Sequence, residues 1–70
     1  METERLVVQE AGAQVGMRRD VVVVQVRGRE VGRARLQGLR RVELLGDVEL
    51  TATARRKLLQ QDVDVVLFTR

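Results

Sequence analysis

Short alternating runs of apolar residues, each broken by a glycine or a charged pair, fill most of this 70-residue chain. Leu6-Val7-Val8-Gln9 predicts a first strand, closed by the Glu10-Ala11-Gly12-Ala13 turn. Gln14 to Arg19 alternates with Val15 and Met17 on one face, and Arg19-Asp20 then makes a tight corner. The run that follows puts Val22, Val24 and Val26 on one face and Val21, Val23, Gln25 and Arg27 on the other. β-Branching favours strand over helix for this run. Gly28-Arg29 suits a two-residue hairpin with glycine at the first central position. The return strand, Glu30 to Leu36, then turns Gly32, Ala34 and Leu36 inward and Val31, Arg33 and Arg35 outward.

After the break at Gln37-Gly38, Arg40 to Leu45 reads as a strand with Val42 and Leu44 inward. Gly46-Asp47 turns the chain into a short extended piece, Val48-Glu49-Leu50. Thr51 is a good N-cap for one helix at 52–61, because its hydroxyl can accept from an otherwise unpaired first-turn N–H. Ala54, Leu58 and either Gln61 or Leu59 mark the helix's inner stripe, with Arg55, Arg56 and Lys57 on the other side. The last strand, Val63 to Thr69, is apolar on both faces near its end, which predicts a central or well-covered position. The expected fold is mostly β (α+β): one small sheet or sandwich-like domain, residues 1–70, of five to seven short strands with a single helix.

Composition narrows the functions available. Neither Cys nor His occurs, which excludes zinc fingers, haem ligation and disulfide frames. Ser is missing as well, so no familiar hydrolase triad can be assembled within the chain. Phe68 is the only aromatic residue, too few for a platform on which single-stranded bases stack. Val21 to Val24 and Val65 to Phe68 are the longest apolar stretches, far short of the roughly 20 residues of a membrane span. The acidic start lacks the basic flank and apolar stretch of a secretory signal, so a cytoplasmic location is the expectation.

The formal charge of +3 is unevenly spread. Residues 27–41 carry Arg27, Arg29, Arg33, Arg35, Arg40 and Arg41 against Glu30 alone. Such a strip is an electrostatic footprint for phosphate, which guanidinium groups grip with two bonds. The competing explanation is that the arginines keep a valine-rich sheet soluble and blunt its edges. Among the acids, Asp62 and Asp64 could share a face, but no third ligand stands at a sensible spacing, so turn and edge solvation accounts for them. Val21, Val23 and Gln25 have a different significance: their strand is apolar on both faces, more than one small sheet and one helix can hide. They are therefore the expected contact with a second copy of the chain.

Several stretches, taken in order, resemble one family: Leu6-Val7-Val8 with Gly12, Arg27-Gly28-Arg29-Glu30-Val31, the Leu36, Leu39, Val42 spacing, Gly46-Asp47-Val48 leading through Leu50-Thr51 into a helix, and Asp62 to Arg70. Together they are similar to the N-terminal β domain of the CRISPR-associated integrase, a metal-dependent DNA endonuclease that inserts spacers into CRISPR arrays. The resemblance spans Leu6 to Arg70. It implies a non-catalytic domain that dimerises and contacts duplex DNA, with Arg56 as a DNA-facing residue on the helix. It also implies that the catalytic helical domain, with its Glu, His and Asp and its magnesium or manganese, lies outside these residues. No catalytic or metal residue is expected in this chain, and a second CRISPR adaptation protein is the expected partner of the full-length protein. Asp62 stands where the family often ends the helix with glycine, and Ala11 where some members place a DNA-splaying aromatic. The rival readings are a small dimeric β-type DNA-binding regulator and a purely structural dimerisation module.

Overall fold

A computed structural model describes residues 4–68 and arranges them as seven strands and one helix. The strands are β1 (Arg5–Val8), β2 (Ala13–Arg18), β3 (Val21–Val26), β4 (Arg29–Arg35), β5 (Arg41–Leu45), β6 (Val48–Leu50) and β7 (Asp64–Phe68). Helix α1 (Ala52–Gln60) lies between β6 and β7 in sequence. The mostly-β class with a single helix is as the sequence predicts.

Two sheets form. One is three-stranded, in the order β1-β5-β7, and both of its pairings are parallel. The other is four-stranded, in the order β4-β3-β2-β6, antiparallel except for the parallel β2–β6 pair. A single apolar cluster draws Val8, Val42 and Leu44 from the first sheet, Val15, Val22 and Val24 from the second, and Leu58 from the helix. Leu36 and Leu39 join it from the segment between β4 and β5. The Leu36, Leu39, Val42 spacing is thus a core signature, its loop closed by Leu39 N–H donating to the Leu36 carbonyl at 3.1 Å.

Helix α1 starts where the sequence predicts. The Thr51 side-chain oxygen accepts from Ala54 N–H at 3.2 Å. Ala54 and Leu58 are fully buried, but the expected third inner position is not: Leu59 is 59% exposed and Gln61 is exposed too. Leu59 sits a further 100° round the helix from Leu58, and the chain after Gln61 turns away to deliver Val63 to the core instead.

Two other expectations need correction. The β3–β4 turn is Arg27-Gly28, one residue earlier than predicted, with Val26 opposite Arg29. Arg27 (φ 53°) and Gly28 (φ 77°) both have the positive φ that a type I′ turn requires. A bulge absorbs the shift: Gln25 faces Glu30 while Val24 faces Gly32, so Val31 has no partner, and the predicted inward parity of Ala34 and Leu36 is kept. The last strand is not central either. Strand β7 pairs only with β5 among the described residues, and Leu67 and Phe68 are 65% and 46% exposed. Val65 packs against the core, while Leu67 and Phe68, on opposite faces of the edge strand, are both left largely in water. Thr69, placed in that strand by the sequence, lies outside the described residues.

Candidate nucleic-acid interface

The pairing register decides which arginines share a surface. Residues directly opposite each other on neighbouring strands point to the same face of a sheet. Arg18, Val21 and Arg35 form one row across β2, β3 and β4. Gly16, Val23 and Arg33 form the next, and Gln14, Gln25 and Glu30 a third. These rows make the face turned away from the core, since Val15, Val22, Val24 and Ala34 take the opposite parity. Arg18 of β2 and Arg33 and Arg35 of β4 therefore stand together on one exposed surface.

Glu30 organises part of that surface. Arg33 donates to it through Nε at 2.7 Å and Nη2 at 2.6 Å, and Arg18 Nη1 lies 3.9 Å away. Arg35 joins no ion pair among the described residues. The face thus presents three guanidinium groups against two carboxylates, Glu30 and, at the β6 end of the same row opposite Gln14, the exposed Glu49. Sequence reasoning missed Arg18, although the signal was there: with Arg19-Asp20 as a two-residue corner, Arg18 must lie opposite Val21.

The other predicted contacts lie elsewhere. Arg27 is at the hairpin tip, and Arg29, paired with Val26, belongs to the opposite parity from Arg33 and Arg35. Arg40 precedes β5, where its N–H donates to the Glu4 carbonyl at 2.8 Å. Arg41 lies on the three-stranded sheet, and its Nε and that of Arg5 each stand 2.9 Å from Oε2 of Glu43. That carboxylate is only 9% exposed although it points away from the core, because the two arginines fold over it. Arg56 is exposed on the helix. Of the residues expected to meet a second copy, Val21 and Gln25 are half-buried and Val23 is 6% exposed within one chain.

No donor set among the described residues fits the magnesium or manganese implied for the full-length family. Among the described residues no three His, Cys, Asp or Glu side chains converge on a point, and Glu43 is already occupied by two guanidinium groups. Asp62 is fixed by the helix end and Asp64 opens β7 opposite Arg41. Among the described residues, no helix is long and apolar enough to cross a membrane.

A two-sheet β domain with one capped helix and an arginine-bearing outer face is the class these observations define. The family model for CRISPR associated protein Cas1 matches residues 6–70, and the chain belongs to that family. Two solved structures share the fold. A chain of a "Partial Cas6-RT-Cas1--Cas2 complex" is 20% identical with a TM-score of 0.84, and the match covers 100% of this chain and 21% of that one. A chain of a "Cas6-RT-Cas1--Cas2 complex" is 22% identical with a TM-score of 0.88, and the match covers 100% of this chain and 8% of that one. The present chain therefore spans a small part of the length of both. No curated protein sequence gives a significant match.

Proposed function

We propose that this chain serves as the N-terminal, non-catalytic β domain of a CRISPR adaptation integrase, where it contacts duplex DNA and helps join two protomers. The observation that carries the DNA reading is the convergence of Arg18, Arg33 and Arg35 on one outer face. Guanidinium groups on β2 and β4, the two strands that flank β3, can each meet a backbone phosphate, while the valines of β3 between them offer nothing that reads a base. Binding of this kind follows charge and duplex shape and carries no sequence information. The chemistry of spacer insertion, with its magnesium or manganese, belongs in this proposal to a helical domain outside the 70 residues. A Cas2-type adaptation protein is the proposed partner of the whole assembly, and the cytoplasm its compartment.

Self-association is proposed to use the outer face of the three-stranded sheet more than β3. All-parallel sheets are almost always covered on both faces. Here one face packs on the core while the other carries Val7 and Phe68, 42% and 46% exposed, beside half-buried Leu45 and Val66. Val23, buried by its own chain, brings less surface.

The test is a salt titration of duplex binding. Replacing Arg18, Arg33 and Arg35 together with Ala should weaken binding equally across unrelated sequences. It should also flatten the dependence of log affinity on log salt by about 0.9 for each phosphate that is no longer neutralised. An unchanged slope would leave these arginines as a solvating surface. Strong preference for one operator sequence would favour the regulator reading instead.

A further inference from the structure

The outward side of α1 holds a feature that the DNA reading leaves unexplained. Ala52, Arg55, Arg56, Leu59 and Gln60 follow the i, i+3, i+4, i+7, i+8 spacing and so form one stripe along the helix. They point away from the buried Ala54 and Leu58. Together with Leu50 of β6 they line a shallow groove beside that strand. β6 is the last strand of its sheet among the described residues. Lys57 stays out of the groove. Its Nζ donates to the Arg19 carbonyl at 3.3 Å and lies 3.6 Å from Asp20 Oδ1, over the β2–β3 corner.

The lining combines two properties. Its apolar part is Leu50, Ala52 and Leu59, and Leu59 at 59% exposure is a large side chain held in water on an otherwise polar helix surface. Its charged part is Arg55 and Arg56, with no carboxylate in the lining and no ion pair to either arginine among the described residues. A DNA backbone would complement the arginines but would leave the leucines facing charged oxygens. No aromatic side chain is present to receive a base. An occupant that satisfies both halves carries leucine-like side chains and carboxylates on the same face.

We infer that the groove between α1 and β6 is a docking site for an acidic peptide segment with apolar anchors, an amphipathic helix or short extended strand from a protein partner. The apolar anchor seats against Leu50 and Leu59, and its flanking carboxylates meet Arg55 and Arg56. Nothing in this docking depends on the arginine face of β2–β4.

Fluorescence anisotropy with the full 70-residue chain and a labelled peptide of alternating glutamate and leucine tests it, alongside a serine-for-leucine peptide of equal charge and a short DNA duplex. The glutamate–leucine peptide should bind saturably. Its affinity should fall about ten- to hundredfold when its leucines become serine, and by a similar factor in Leu59→Asp, the range set by the burial of one leucine side chain. Arg55→Glu with Arg56→Glu should weaken it comparably. Leu59 is exposed, so the thermal midpoint of Leu59→Asp should match that of the parent chain. Replacing Arg33 and Arg35 with Ala should leave peptide binding unchanged. Equal binding of the serine peptide, indifference to Leu59→Asp, displacement of the peptide by duplex with Leu59 immaterial, or absence of saturable peptide binding would each overturn the inference.

Discussion

Val63 donates its N–H to the carbonyl of Leu58 at 2.9 Å, and both side chains are buried in the core. With Asp62 N–H donating to the Leu59 carbonyl at 3.1 Å, this is a Schellman ending to α1. The motif needs a left-handed residue between helix and strand, and Asp62 supplies it at φ 56°. An L-residue there costs roughly 1–2 kcal/mol, somewhat less for aspartate. Asp62→Gly should therefore stabilise the domain by about 0.5–1 kcal/mol. Urea unfolding would show the midpoint moving up with an unchanged slope, and a lower midpoint would contradict this account of the helix end.

The neighbours Leu58 and Leu59 should respond in opposite ways to the same truncation. Leu58 is fully enclosed, so Leu58→Ala should cost about 2–5 kcal/mol from reduced burial and the cavity left behind. That is comparable with the whole stability expected of so short a chain. Leu59→Ala should fall within about 0.5 kcal/mol of the parent. Equilibrium denaturation of the two variants checks the pair.

Glu30 restrains the proposed DNA face through Arg33 and Arg18. Glu30→Gln keeps the shape of the side chain while removing its charge, which frees both guanidinium groups for phosphate. Duplex affinity should rise severalfold at low salt, with a steeper salt dependence. Affinity unchanged or lowered by Glu30→Gln would place phosphate binding elsewhere.

Sedimentation at micromolar concentration should give a mass near twice the 7.9 kDa of one chain. Val7→Lys, at an exposed site, should produce a folded monomer. Val23→Arg should unfold the chain, because it forces a charge into a site that is 6% exposed. A folded monomer from Val23→Arg, with Val7→Lys still dimeric, would return the interface to β3.

With magnesium or manganese added, the 70-residue chain should neither nick DNA nor join strands. Metal-dependent cleavage that disappeared on replacing Glu43 with Ala would show that the acidic side chains here do more than hold arginines.

The elements that came through the sequence are those fixed by local chemistry. Thr51 caps because its hydroxyl can reach Ala54 N–H, and β3 extends because five of its six residues are valine. What the sequence hid depends on partners distant along the chain. Glu43 looks like a solvent-facing residue until β1 is laid parallel to β5, which brings Arg5 opposite Arg41 and closes both over the carboxylate. β7 looks central because its residues are apolar on both faces, and only the strand order reveals an uncovered edge. The hairpin shifted by one residue because arginine is an unexpected occupant of a left-handed position. Of the seven arginines expected at DNA, Arg33 and Arg35 share the surface that the register then extends to Arg18. That grouping was legible in the strand parity, whereas the separation of Arg40 and Arg41 depended on the formation of a separate three-stranded sheet.

The parallel pairings have a consequence for the time course of folding. Residues 5–8 wait for residues 41–44, and residues 13–15 for residues 48–50, before either pair can close. The two consecutive hairpins of β2, β3 and β4 need no such wait and can zip as soon as their turns form. Formation of this domain should thus start with a local three-stranded meander that has nothing to cover its valines. Closure then requires the long loops to be drawn in together, an entropic toll on the transition state that pushes folding towards the millisecond-to-second range typical of β topologies. During that interval the bare meander is the species most exposed to mispairing with a neighbouring chain.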